Sequence, residues 1–309
     1  MDMQVRNGAP PKPRHARARA LVRVEPWVLL APALLLVLGL IAYPIARAVW
    51  IAVHQQSIFG FGPVTFVGLG NFAAAIGSPD FGTAVRNSLT WTLGAVALQL
   101  VFGMFGALLL NQRFPGRGIV RGLVLIPWAT PSVLISLMWI WLLDPNGGFI
   151  NNVLLHVGLI SRPIAWLADP HTALPTLIAV DVWQGVPFFA VMLLAALQSV
   201  PEELRDAATV DGAGTWQLFW RITLPLIMPT VMVTTVLRLM WTANYIDLAY
   251  IMTGGGPGTA TLTLPLEAYY SAFAKTDLGL GAAYALIQAA LLVVMIAVYL
   301  RTLRQTEVI

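Results

Sequence analysis

The sequence predicts an all-α polytopic membrane protein of six transmembrane helices with both termini cytoplasmic. Three observations carry that prediction. Of 309 residues, 58% are hydrophobic and only 10% are charged, whereas soluble domains carry about 25% charged residues. The apolar residues gather in blocks long enough to cross the ~30 Å hydrocarbon layer, which takes about 20 residues. Lysine and arginine concentrate on one set of alternate connections, the pattern that fixes topology in a bilayer.

The first apolar block covers 27–53 and follows a Pro/Arg-rich tail, 1–25, that is expected to be disordered. A basic tail and an apolar run also describe a signal peptide. This block exceeds the usual ~7–15-residue core of such a peptide, and further blocks follow, so it is read as a retained helix. The remaining spans are expected at 87–110, 119–143, 174–197, 224–243 and 281–300, with a further apolar stretch at 245–253. Helices are required, because backbone groups cannot stay unpaired in lipid and the alternation of barrel strands is absent. No repeat of fixed period is visible.

Orientation follows from the basic residues. Arg6, Lys12, Arg14, Arg17, Arg19 and Arg23 lie in the tail, and Arg113, Arg117 and Arg121 flank the second loop. Arg205 and Arg221 lie in the fourth loop, and Arg301 and Arg304 in the last tail, 301–309. The opposite side holds Arg162 and Lys275, with Arg86 at a helix end. An even number of spans in a domain covering 26–300 satisfies this distribution.

The fourth loop, 199–225, is more than a connector. Ser199 and Glu202 have capping-box spacing, and Pro201 suits a first helical turn. Leu204, Ala207 and Ala208 fall on one face, with Glu203, Arg205 and Asp206 around them. Asp211 and Gly212 end that helix, and Trp216, Phe219 and Trp220 start another that climbs back to the interface. Periodicity alone leaves two readings open: a helix lying on lipid, or one docked in a protein groove. The helix is short, acidic on balance and poor in large apolar residues, which suits the groove better.

The run Asp206-Ala207-Ala208, three residues, Gly212, nine residues, Ile222-Thr223-Leu224-Pro225 resembles the coupling loop of binding-protein-dependent ABC importer permeases. Asp206 stands where that family most often has Glu. The segments 125–132, 181–188 and 253–257 resemble further family segments, the last typical of the sugar branch, and the nearest likeness is to the first permease of maltose/trehalose-type importers. The resemblance implies a type I importer permease fold in a bacterial cytoplasmic membrane. It implies a second permease subunit, two copies of a cytoplasmic ABC ATPase and an extracytoplasmic sugar-binding protein as partners, with no nucleic acid. It gives Glu203, Asp206, Ala207, Ala208, Asp211 and Gly212 the coupling role. ATP and Mg are expected on the partner ATPase, no cofactor on this chain, and no enzymatic activity of its own.

Other chemistries find no support. The chain has no cysteine, and its glycine run at 254–258 lacks the Lys-Ser or Lys-Thr of a phosphate loop. His54, His156 and His171 lie in separate loops without ligand spacing, so no metal site is expected. No histidine or Ser/Lys pair lies at membrane depth to support an intramembrane protease.

Asp181 and Arg238 lie inside the fourth and fifth spans. A charge at such depth costs about 2.5–3.5 kcal/mol on insertion scales, so these residues are expected to face a polar cavity or each other. A structural ion pair and a contact with solute both stay open. By resemblance, the sugar path comprises Trp128, Ser132, Asp181, Gln184, Gly185, Arg238 and Thr242. Pro127, Pro131 and Pro187 are expected to interrupt helical hydrogen bonding inside the spans, either to bend helices near the path or as simple packing kinks. The competing solutes are glycerol phosphate, which the arginine would suit, and polyols. An ion-coupled secondary transporter using Asp181 is the other architecture, disfavoured by the coupling loop.

Overall fold

The computed structural model describes residues 29–60 and 62–306. The basic tail 1–25 and the end of the C-terminal tail lie outside the described residues. Helix α1 (Leu29–Ala52) contains a wider π-helical turn at Leu38–Ala42. The described residues 29–50 form a unit by themselves, in which the Arg47 guanidinium lies 4.2 Å over the Trp50 ring.

The second unit starts at Ile51. A two-stranded hairpin, β1 (His54–Gln55) with β2 (Thr65–Phe66), leads to α2 (Gly70–Ile76) and the long α3 (Phe81–Asn111). Next come α4 (Arg117–Val124), the single turn α5 (Ile126–Ala129), α6 (Ser132–Leu142) and α7 (Phe149–His156). The fourth span is α8 (Ala173–Gln198), followed by α9 (Glu202–Val210) and α10 (Thr215–Leu218). The fifth is α11 (Leu224–Ala243), followed by α12 (Asp247–Met252), α13 (Leu264–Tyr269) and α14 (Leu278–Thr306). Among the described residues, five helices are long and apolar enough to cross a membrane, and a bent pair, counted as one span, brings the number to six.

That bent pair corrects the expectation of a continuous third span over 119–143. Arg117–Ala129 and Ser132–Leu142 meet at 94°. Pro131 has no N–H to give to the ladder and drives the preceding residue out of helical conformation; Thr130 is accordingly extended, with φ −79° and ψ 133°. Pro187, by contrast, sits inside α8; it withholds the N–H that would bond the carbonyl four residues back, but the helix runs on through it without a break.

Helices α3 and α8 pack along their length through small residues, as membrane helices do in the absence of a hydrophobic driving force. A Cβ on Gly103 would sit 2.3 Å from Phe189 Cβ, and one on Gly106 3.4 Å from Ala190 Cβ. The buried apolar residues form two clusters. One includes Trp91, Leu177, Leu248, Leu264 and Tyr284; the other includes Ala107, Phe189, Leu193, Ile227 and Leu239. Gln99, Asp181 and Arg238 are buried as well and are bonded to one another in a polar layer that joins α3, α8 and α11.

Candidate functional site: a polar cavity and an exposed loop helix

At the end of α8, Ser199 does not cap the following helix as its spacing suggested. Its hydroxyl donates 2.8 Å back to Ala196 O, and Pro201 (φ −57°, ψ 131°) holds the cap position of α9 without a side-chain bond. The carbonyls at the end of α8 have no continuing helix to satisfy them, and Ser199 lies closer to them than to α9. The other terminus behaves as expected. Gly212 has φ +83°; its N–H reaches Thr209 O at 3.0 Å, and the Ala213 N–H reaches Ala208 O at 2.9 Å. These two bonds make a Schellman ending, which needs a left-handed residue at the Gly212 position.

The helix so bounded is almost bare. Ala208 is buried, while Glu203, Asp206, Ala207, Asp211 and Gly212 are exposed. Leu204 is exposed rather than packed with the alanines, and Val210 is 87% exposed. Arg113 approaches Glu202 at 3.9 Å, but both side chains are solvent-exposed and such a pair contributes at most about 1 kcal/mol. The contact places the C-terminal end of α3 beside α9.

At the polar layer a cavity of about 210 Å³ is lined by Trp128, Ser132, Asp181, Gln184, Arg238, Trp241, Thr242 and Tyr245. It opens where the third span breaks: α5 brings Trp128 and α6 begins with Ser132. Of the expected path residues, six line this cavity directly. Gly185 instead lies behind it, where a Cβ would stand 2.3 Å from Gln99 Nε2 and 2.4 Å from Arg238 Nη2.

Asp181 and Arg238 do face each other, with Oδ1 and Nη2 3.5 Å apart. That is long for a hydrogen bond, and the tighter bonds run through Gln99. Arg238 Nε donates to Gln99 Oε1 at 2.9 Å, and Gln99 Nε2 donates to the Asp181 backbone carbonyl at 2.8 Å. One fully buried amide thus ties the fourth span to the fifth. Tyr245 donates its hydroxyl to Gln184 Oε1 at 2.9 Å, which commits the oxygen of that amide and leaves its nitrogen as the free donor. Ser132 donates to Asp247 Oδ2, linking the start of α6 to the start of α12.

Two buried atoms here have no protein partner, Asp181 Oδ2 and Thr242 Oγ1. Buried polar atoms without partners are rare and mark places where a water or ligand completes the bonding. Phe188 stands between the two indoles, 6.1 Å from the Trp128 ring and 5.1 Å from the Trp241 ring. The cavity therefore offers an acceptor, a hydroxyl, an amide donor and aromatic faces, a set that fits a molecule with several hydroxyls and an apolar C–H surface. Among the described residues no group of three His, Cys, Asp or Glu side chains is arranged to hold a metal ion.

Gln99, Trp241, Tyr245 and Asp247 were missed by the sequence reading. The signal that flagged Asp181, a polar group at membrane depth, applies equally to Gln99. Trp241 follows Arg238 by three residues, on the same helical face, whereas Tyr245 comes just after the helix ends and carries no such periodicity.

Residues 99–305 match the family described as binding-protein-dependent transport system inner membrane components. The chain is 34% identical over 275 residues to the trehalose/maltose transport system permease protein of Thermococcus litoralis, covering 89% of this chain and 92% of the relative. It is 37% identical over 280 residues to the sulfoquinovosyl glycerol transport system permease protein of Agrobacterium fabrum, covering 91% and 90%. The fold matches the crystal structure of a bacterial ABC transporter involved in the import of the acidic polysaccharide alginate. The TM-score is 0.77 at 23% identity, with 94% of this chain and 99% of that chain covered; at that identity the likeness is one of fold.

Proposed function

We propose a specific role for this chain, which belongs to the family of binding-protein-dependent transport system inner membrane components and is a membrane-embedded sugar ABC transporter permease. It lines the transmembrane path of an importer for a di- or oligosaccharide in a bacterial cytoplasmic membrane, with both termini cytoplasmic. The observation that carries this reading is the pairing of two features on one scaffold: a neutral, partly unsatisfied polar cavity at membrane depth, and a bare, sharply terminated helix at the end of the spans.

The cavity chemistry supports a sugar. Arg238 is already engaged by Asp181 and Gln99, so the charges of the pair cancel and no cation is left over for a phosphate. Asp247 adds a carboxylate nearby. Glycerol phosphate is disfavoured on these grounds. Asp181 Oδ2 accepts from a solute hydroxyl, Thr242 and the Gln184 nitrogen meet others, and Trp128 and Trp241 stack on the sugar's C–H face. At about 210 Å³ the space is smaller than the ~300–1,000 Å³ of complete ligand sites. Trp128 and Trp241 are nearly half exposed at its rim, which supports closure by a second permease subunit.

The helix Glu202–Val210 couples the spans to a partner ATPase. Glu203, Asp206, Ala207, Asp211 and Gly212 form its docking surface, with Ala208 packed behind it, the small Ala207 allowing close approach and Gly212 fixing the exit of the chain. ATP and Mg belong to that partner, present in two copies, and an extracytoplasmic sugar-binding protein delivers the solute. Closure of the ATPases pushes the helix, and the spans alternate between inward- and outward-facing states.

The test is co-purification and stimulation. The extracted protein should bring an ATPase with it and lose it on Gly212→Val, and hydrolysis by the reconstituted assembly should respond to particular sugars. Proton-driven uptake by this chain alone would overturn the reading.

A further inference from the structure

We propose that a recess at the end of the spans farthest from α9 is a socket for an acidic side chain of the extracytoplasmic binding protein, with Arg86 as its anchor. The inference rests on the importer reading above. The recess encloses about 580 Å³ and is walled by Thr83, Arg86 and Thr90 of α3, His171 before α8, and Pro257 and Thr259 of the glycine-rich loop.

Its position follows from α3. That helix has 31 residues and is therefore about 46 Å long at 1.5 Å per residue. Its C-terminal end reaches α9 through Arg113 and Glu202. Arg86, in the second turn, consequently lies some 35–40 Å from the ATPase-facing end, on the side where a binding protein delivers solute.

Its charge is one-sided. No carboxylate lines the recess, and among the described residues none pairs with Arg86. Lys275, another cation on this side, is bonded to Glu267 and lines a different recess with Gln55 and Thr65. Asp169 accepts from the His171 backbone N–H and does not line the recess. An arginine left unpaired in a concave site is complementary to a carboxylate arriving on another molecule.

The walls are set in advance. Asn87, buried beside Arg86, donates through its amide nitrogen to Thr259 O at 3.0 Å, Ala260 O at 3.1 Å and Leu262 O at 3.0 Å. Ser88 Oγ accepts from the Leu264 N–H at 2.8 Å. Thr261 holds the same loop from inside, donating to Gly256 O at 2.9 Å. The loop wall is thereby fixed to α3, and a socket that needs no ordering binds with less entropic loss. The loop follows directly from α12, whose Asp247 bonds Ser132 at the cavity. Docking at the recess thus bears on a segment that reaches the solute path.

The experiment uses the whole importer in lipid nanodiscs, with the sugar-loaded binding protein labelled for anisotropy. R86E is expected to weaken its affinity at least tenfold and to flatten the salt dependence of association, while hydrolysis without binding protein is unchanged. Thr83→Glu, which places a carboxylate against Arg86 and keeps the arginine, is expected to act in the same direction and guards against misfolding of R86E. Unchanged affinity and salt dependence in both variants, with stimulation intact, would overturn the socket and leave the importer reading standing. Unchanged affinity with a raised KM for sugar would also overturn it, by giving the recess to the solute. A wild-type assembly that no binding protein stimulates overturns both.

Discussion

Replacing Gly185 with alanine tests whether the polar layer is held by the amide of Gln99. The new methyl would stand 2.3 Å from Gln99 Nε2 and 2.4 Å from Arg238 Nη2, against ordinary contacts of about 3.5–4 Å. Both atoms must retreat by roughly 1 Å, and both belong to bonds already at 2.8–2.9 Å or to the 3.5 Å ion pair. A buried polar group left unsatisfied costs about 1–3 kcal/mol, so losing the two Gln99 bonds costs about 2–6 kcal/mol. Alanine recovers about 1 kcal/mol over glycine in a helix. The net expectation is a loss of about 1–5 kcal/mol, read by denaturant unfolding in detergent, together with loss of sugar-stimulated hydrolysis. Gln99→Ala removes one of the two side chains the methyl strikes and leaves only the contact with Arg238. The double variant should therefore be less damaged than the sum of the singles by about 1–3 kcal/mol. Additivity within ~0.5 kcal/mol would refute the assignment, because Gly185 would then be guarding something other than Gln99.

Other substitutions probe the remaining parts. Gly212→Val forces a branched residue to φ +83°, a strain of at least 1–2 kcal/mol; the co-purified ATPase should fall away while the spans keep their helical circular dichroism. Asp181→Asn leaves Arg238 buried without its counter-charge, at a cost of about 3–5 kcal/mol, and Asp181→Asn/Arg238→Met should recover most of that stability in the same unfolding assay. Tyr245→Phe frees Gln184 to rotate and should raise the KM for sugar up to about tenfold, one hydrogen bond's worth, with little change in kcat. Asn87→Ala unties three carbonyls and should speed hydrogen exchange across 254–264 without affecting exchange in α9.

How much of this was legible in the sequence depends on the kind of signal. Hydropathy located the fourth span to within a residue of Ala173–Gln198 and the fifth at Leu224–Ala243, because lipid imposes one length and one composition. It could not show the bend of the third span, since the residues on both sides of Pro131 are equally apolar. The proline was visible, but Pro187 in α8 shows that a proline does not always break a span. Gly212 was readable because only a left-handed turn closes that helix at that spacing. Ser199 misled because its hydroxyl had two sets of backbone partners within reach, and chose the carbonyl behind it. Gln99 and Asn87 escaped because a single amide in an apolar run has no periodicity. What makes them important is the distant segments they bond, 82 and some 170 residues away. Asp247 was overlooked inside 245–253, where one carboxylate was averaged into an apolar stretch.

The close seam between α3 and α8 settles which parts of the molecule are free to rearrange. At Gly103 the backbone of one helix lies against Phe189 of the other with no room even for a methyl group. Sliding either helix by one residue, about 1.5 Å, would bring a side chain into that gap. The two helices therefore behave as a chassis, rotating together or not at all. The pivots lie where the hydrogen-bond ladder is already interrupted, at Thr130–Pro131 and at 244–246. Those two hinges flank the same cavity, one carrying Trp128 and Ser132, the other Trp241 and Tyr245. The alternation of access proposed above would then widen or narrow the chamber at these two joints, against a frame that keeps its length.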